Sequence, residues 1–165
     1  MAITAFSTNA AFVEDAEVGR VQSLIREQLA AFNADDYPAA YRLASSRIQS
    51  VFSLASFEHM VQEGYPQIAK SRVASFEEIA FSENRQGATA LVQVTGMDRT
   101  TVIAQYILIL EKGHWKNNGV VILKTIMPVS RSPVSLLRIP LFSRPFNNRR
   151  DGFLAPIIDF INQVC

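Results

Sequence analysis

The sequence contains a single cysteine, Cys165 at its last position, and two histidines, His59 and His114. One cysteine excludes an intramolecular disulfide and any multi-cysteine metal site. Two histidines, one in a helical stretch and one at a hairpin exit, have no spacing that would gather them with a carboxylate around a metal. No metal and no cofactor is therefore expected. Long apolar runs are also missing: TTVIAQYILIL is about half of the roughly 20 residues that span a bilayer. The opening MAITAFSTNAAFVEDAEVG lacks the basic start and continuous apolar run of a secretory signal, and it is not Arg-rich like a transit peptide. There is no Gly-rich phosphate loop, no Ser-centred elbow and no His-Glu helical zinc motif, so nucleotide and nucleophilic chemistry find no support. The expectation is a soluble protein of the cytoplasm or an organelle stroma.

What is present is the material of a packed domain. The 165 residues are 48% hydrophobic and 19% charged, which fits one globular domain with an appendage. The net charge of +1 conceals an asymmetry. Residues 1 to 111 hold 8 Lys/Arg against 13 Asp/Glu, a balance of −5, and residues 112 to 165 hold 8 against 2, a balance of +6. That basic final third suits either an anionic surface or the acidic remainder of the same chain. Nucleic-acid binding would want aromatics exposed among basic residues on a sheet. Trp115 beside Lys116 is a faint version that a core tryptophan explains better, so no nucleic acid is expected.

Apolar residues recur at Val18, Val21, Leu24, Ile25, Leu29 and Phe32, the spacing of a helix over 16 to 33 with one buried face. Glu14, Asp15 and Glu17 would load its start with favourable charge. The acidic pair Asp35–Asp36 then reads as a turn and a helix cap, because a short acidic residue just before Tyr37 and Pro38 can accept bonds from otherwise unpaired amides. A second helix is expected over 37 to 44, a short helical turn through Ile48, Val51 and Phe52, and a third helix capped by Ser56 and ended by Gly64. Beyond Gly64 the rhythm turns to alternation. Four strands are expected over 72 to 82, 88 to 96, 100 to 111 and 114 to 124, joined as antiparallel hairpins by ENRQG, GMDR and EKGH. Helices first and a meander afterwards give an α+β fold. Both faces of the third strand are mostly apolar, so each face needs a cover: the helices for one, a second subunit or the tail for the other. Residues 125 to 165, punctuated by Pro128, Pro133, Pro140 and Pro145, read as a basic, apolar strap with a short helix after Pro156.

The order of a first helix, NADDYPAAYRLAS, FEHMVQEGYPQI, four strands and a closing HWKNNGVVIL resembles a bacterial and plastid family of unknown function assigned to the nuclear transport factor 2-like superfamily. The likeness covers about 18 to 124, and its most telling pieces are ASSRIQSVFSLASFEHMV, GYP and the WK that opens the last strand. The resemblance implies a cone, in which a strongly curved four-stranded antiparallel sheet wraps the N-terminal helices around a cavity, often as a dimer through the sheet. Wider relatives include isomerases, dehydratases and polyketide cyclases as well as transport and scaffolding proteins, so the fold does not choose a function. Catalytic relatives hold an Asp, His or Tyr inside the cone, and no such signature maps onto a position here. Asn117 departs from the family pattern where an apolar residue is expected, which points to a polar spot in the cavity or a bulge near Gly119.

These observations set the expectations. A domain over 14–124 carries a C-terminal extension over 125–165. The function is that of a non-catalytic interaction module, docking as a homodimer or within a larger protein assembly through the sheet face and the strap. A carrier of a small apolar ligand, or an acid–base isomerase or dehydratase with its site in the cone, is the alternative. Tyr41, Phe52, Met60, Tyr65, Tyr106, Trp115 and Asn117 are the candidate cavity lining. Arg131, Arg138, Arg144, Arg149 and Arg150 are the candidate contacts to a partner or to an anionic membrane at its periphery.

Overall fold

A computed structural model describes residues 8–128, with side chains from Glu14 onward. Five helices precede four strands: α1 Thr8–Asn33, α2 Tyr37–Leu43, α3 Ser46–Val51, α4 Leu54–Gly64, α5 Pro66–Ala69, β1 Ser71–Phe81, β2 Gly87–Gly96, β3 Thr101–Glu111 and β4 His114–Ile126. The strands form one open antiparallel sheet in the order β1-β2-β3-β4. This is the α+β class that the change of rhythm predicts, and it is consistent with a cone. The five expected arginines from Arg131 to Arg150 and the helix after Pro156 lie outside the described residues.

The acidic pair behaves as punctuation. Asp36 accepts the Ala39 amide at 2.9 Å and caps α2, with Pro38 in the first turn where its missing N–H costs nothing. Asp35 takes a left-handed φ of 57° in the intervening turn, and its carboxylate meets the Lys70 ammonium at 2.7 Å.

Four local expectations need correction. Helix α1 begins at Thr8, so Glu14 and Asp15 lie beyond its first turn and do not meet its N-terminal dipole. The cap of α4 is Ser53, whose hydroxyl accepts the Ser56 amide at 3.2 Å; in a run of serines the one three residues earlier has the geometry. A four-residue helix, α5, follows Gly64, started by Pro66, so the handover to extended chain falls at Lys70. Strand β4 runs to Ile126, two residues beyond the expected end of the fourth strand.

The hairpins owe their register to residues with positive φ. Lys112 (51°) and Gly113 (82°) form the two-residue turn that pairs Glu111 with His114. At the β2–β3 turn, a side chain on Gly96 would stand 2.8 Å from the Asp98 carboxylate and 3.1 Å from the Gln67 Cα, so a glycine lets that turn close on α5.

The core lies between the helices and one face of the sheet. Val21, Leu24, Ile25, Leu29 and Phe32 of α1 are buried with Phe57 and Val61 of α4 and Ile68 of α5. They meet Ala88, Ala90, Val92 and Val94 of β2 and Val102, Ala104, Tyr106 and Leu108 of β3. The burial patterns of β2 and β3 alternate residue by residue, so every second side chain turns away from the helices.

Candidate functional site

Two regions concentrate the features that packing alone does not demand: a polar seam inside the core, and the face of the sheet turned away from the helices.

The seam is built on a bulge in β4. Ile107 pairs with Gly119 and Leu108 with Asn117, so Asn118 is the extra residue. The Asn117 side chain therefore enters the core, where its amide donates to Gln28 Oε1 at 2.7 Å and its Oδ1 accepts the Gly119 amide at 3.0 Å. Gln28 in turn donates to the Ala40 carbonyl at 3.1 Å, and the Ser45 hydroxyl, fully buried, donates to Asn118 Oδ1 at 2.8 Å. These polar groups satisfy one another, which is the condition for burying them.

Beside the seam, two tyrosines meet around Val120. Tyr65 donates to the Val120 carbonyl at 3.2 Å, and Tyr106 is the register partner of Val120 on β3. Burial pushes both phenols above their ordinary value, Tyr106 the further. Tyr106 is fully buried and its hydroxyl has no hydrogen-bond partner within the described residues. Such an orphan is costly and uncommon in a folded protein.

The remaining expected lining residues fall elsewhere. Tyr41 and Phe52 meet each other, since the Tyr41 hydroxyl donates to the carbonyls of Gln49 and Phe52 and so ties α2 to the end of α3. The Tyr41 ring lies 5.3 Å from that of Phe57. Trp115 is buried at the start of β4, with its indole N–H on the Glu17 carboxylate at 2.8 Å and its ring 5.8 Å from Phe81. Met60 is half-buried on α4. Gln28 was not among the expected residues. Its signal was a polar side chain set four residues from both Leu24 and Phe32, within the buried stripe of α1.

The buried polar side chains among the described residues are Gln28, Ser45, Ser71, Thr100 and Asn117, all uncharged. His59 and His114 are exposed on α4 and at the β3–β4 turn. No group of three or more His, Cys, Asp or Glu residues that could hold a metal occurs among the described residues.

The outer face of the sheet mixes apolar and uncharged polar residues at its centre and carries charge at its sides. Register places Glu78, Leu91, Gln105 and Val121 in one row across it, Ala80, Thr89, Ile107 and Gly119 in the next, and Ser75, Gln93, Ile103 and Lys124 on the other side. Leu91, Ile103, Ile107, Ile109 and Val121 are half-exposed. Strand β1 contributes Glu78 and β4 contributes Lys124, so the face is acidic at one edge and basic at the other; the Lys116 ammonium donates to the Arg42 carbonyl of α2 at 2.6 Å.

Residues 14–129 match the family described as a domain of unknown function (DUF4864), and the chain belongs to that family. No curated protein matches the chain. No helix among the described residues is long and apolar enough to cross a membrane.

Proposed function

We propose that this member of the DUF4864 family is a nuclear transport factor 2-like interaction module of the bacterial and plastid kind, which docks through the outer face of its sheet. A second copy of the chain is its first partner. The observation that carries this reading is the outer face of β3, where Ile103, Ile107 and Ile109 stand half-exposed opposite the buried Val102, Ala104, Tyr106 and Leu108. Thr101 and Gln105 share that face, and three isoleucines beside them are more apolar surface than a solvated face needs.

The charges favour one arrangement of the pair. A two-fold axis along the strands lays β1 of one copy over β4 of the other, so that Glu78 faces the edge that carries Lys124, with the isoleucines between. An axis across the strands would instead set Glu78 against Glu78. Self-complementarity of this kind is what a closed dimer requires. By composition, Arg131, Arg138, Arg144, Arg149 and Arg150 of the extension offer a second attachment to an acidic partner.

Sedimentation equilibrium of the full chain tests the reading. A dimer with micromolar or tighter affinity is expected, along with a monomer after the paired changes Ile103→Gln and Ile107→Gln, which keep the strand and remove both isoleucines. A native chain that stays monomeric at micromolar concentration overturns it.

The orphan hydroxyl of Tyr106 supports a second reading, in which a small, largely apolar guest with one polar atom enters the core and bonds that hydroxyl. Among the described residues the interior holds no buried charge, which suits binding better than acid–base isomerisation or dehydration. Native mass spectrometry of protein from its own source would show a co-purifying small molecule. A chain of bare mass whose Tyr106→Phe variant behaves as wild type contradicts this reading.

A further inference from the structure

Seven large apolar side chains are exposed among the described residues, and five of them gather at one end of the sheet. Val73 (57% exposed) opens β1, Met97 (64%) lies in the β2–β3 turn, and Leu123 (53%), Ile126 (41%) and Met127 (70%) close β4. Register confirms the neighbourhood: Val73 pairs with Thr95, Thr95 with Thr101, and Thr101 with Ile126, while the Thr100 hydroxyl contacts the Met127 sulfur at 3.8 Å. Single exposed apolar residues need no explanation, but a cluster does.

The same end carries Arg72, Arg99 and Lys124, none of which forms an ion pair among the described residues. Arg72 is the extra residue of a β1 bulge and Arg99 sits in the turn at a φ of 66°. Lys124 pairs with Ile103 near the end of β4. The one carboxylate in the turn, Asp98, is engaged locally. It accepts the Thr100 amide at 2.9 Å and the Gln67 side chain at 3.3 Å, and these bonds hold its carboxyl below the ordinary range.

We infer that this end of the sheet is a docking site for an anionic bilayer surface, with Met97, Ile126 and Met127 entering the interface and Arg72, Arg99 and Lys124 meeting lipid phosphates and carboxylates. Apolar tips ringed by unpaired cations are the combination that peripheral membrane contact needs, since burial and charge each contribute part of the affinity. The tips lie on a turn and on strand ends, so they can enter an interface without unpairing the sheet. A protein partner is better served by the broad face of β3. Lys124 also lies on the basic edge of the docking face; the other residues of the site are not among those that carry the docking, and the site stands in a single copy. In the two-fold pair proposed above, with its axis along the strands, both such ends point the same way, so one assembly would present two sites and gain by bivalency.

Co-sedimentation of the full chain with vesicles tests the inference. Binding is expected to vesicles containing phosphatidylserine, to fall steeply with salt, and to be near background on pure phosphatidylcholine. The pair Arg99→Gln and Lys124→Gln should weaken it roughly thirtyfold, as two basic side chains near an anionic surface predict. Met97→Ser with Met127→Ser should weaken it as well. All four positions are exposed, and an unchanged melting curve shows that each variant folds. In a Met97→Trp chain, quenching of the new tryptophan by brominated lipid reports insertion directly. Because the extension also carries arginines, binding that survives every one of these changes overturns the site, as does the absence of vesicle binding. Binding to a polyglutamate chain that depends on the cations and ignores both methionines would assign the surface to an acidic protein and overturn the membrane. The Ile103→Gln, Ile107→Gln chain separates the two proposals. If it remains monomeric and still binds vesicles, more weakly, the site stands apart from the dimer.

Discussion

The two faces of β3 are both rich in apolar residues and meet different surroundings. Val102, Ala104, Tyr106 and Leu108 are sealed beneath the helices, while Ile103, Ile107 and Ile109 lie half-open on the other side. Among the described residues the helices cover one face only. Hydrophobicity therefore tells that a face wants a cover, and only the fold tells which face already has one.

The largest expected effect contrasts adjacent residues across that strand. Leu108→Ala should lower stability by about 2–5 kcal/mol, because a fully buried side chain leaves a cavity. Ile107→Ala should cost a dilute monomer less than about 1 kcal/mol, since little transfer is lost at a half-exposed site. Chemical denaturation at low protein concentration compares them, and equal losses would break the contrast. Asn117→Ala comes next, at about 1–3 kcal/mol, because it strands the Gln28 carbonyl in the core. Replacing Gln28 and Asn117 together by leucine should recover much of that loss, and a failure to recover would show that the bulge itself needs the asparagine. Asp36→Ala should cost about 1 kcal/mol through the lost cap, and Asp36→Asn much less.

The smallest effect is expected where the inner face is least satisfied. Tyr106→Phe should leave stability unchanged within about 1 kcal/mol, or raise it, because the hydroxyl it removes has no partner. The same tyrosine sets an alkaline limit. With its folded pKa raised above the ordinary 10.0, the unfolded chain ionises first, so stability is full below pH 10.0 and falls as pH rises beyond it. The Phe variant should lose less over that range, as urea titrations at successive pH values would show.

Element type was legible because periodicity reports burial on one side. The six expected apolar positions of α1 hold five buried residues and a half-buried Val18, and the strand limits fall close to the alternation in the sequence. The acidic pair was legible because a cap is local chemistry. Single-turn features were harder to place: α5 is four residues long and has no period to read, and Ser53 and Ser56 differ as caps only in where the chain turns. The seam was half-legible. Asn117 stood out as polar where an apolar residue belonged, but its partner Gln28 lies 89 positions away and only folding joins them. The apolar end of the sheet was invisible for the same reason, since its residues come from the two edge strands and a turn.

The most direct test of the docking claim is carbene footprinting of Leu91, Ile103 and Ile107 across a dilution series. The account predicts strong labelling in dilute chain and protection that grows with concentration, while Leu108 stays unlabelled throughout. Labelling of Ile103 and Ile107 that is high and independent of concentration would contradict it.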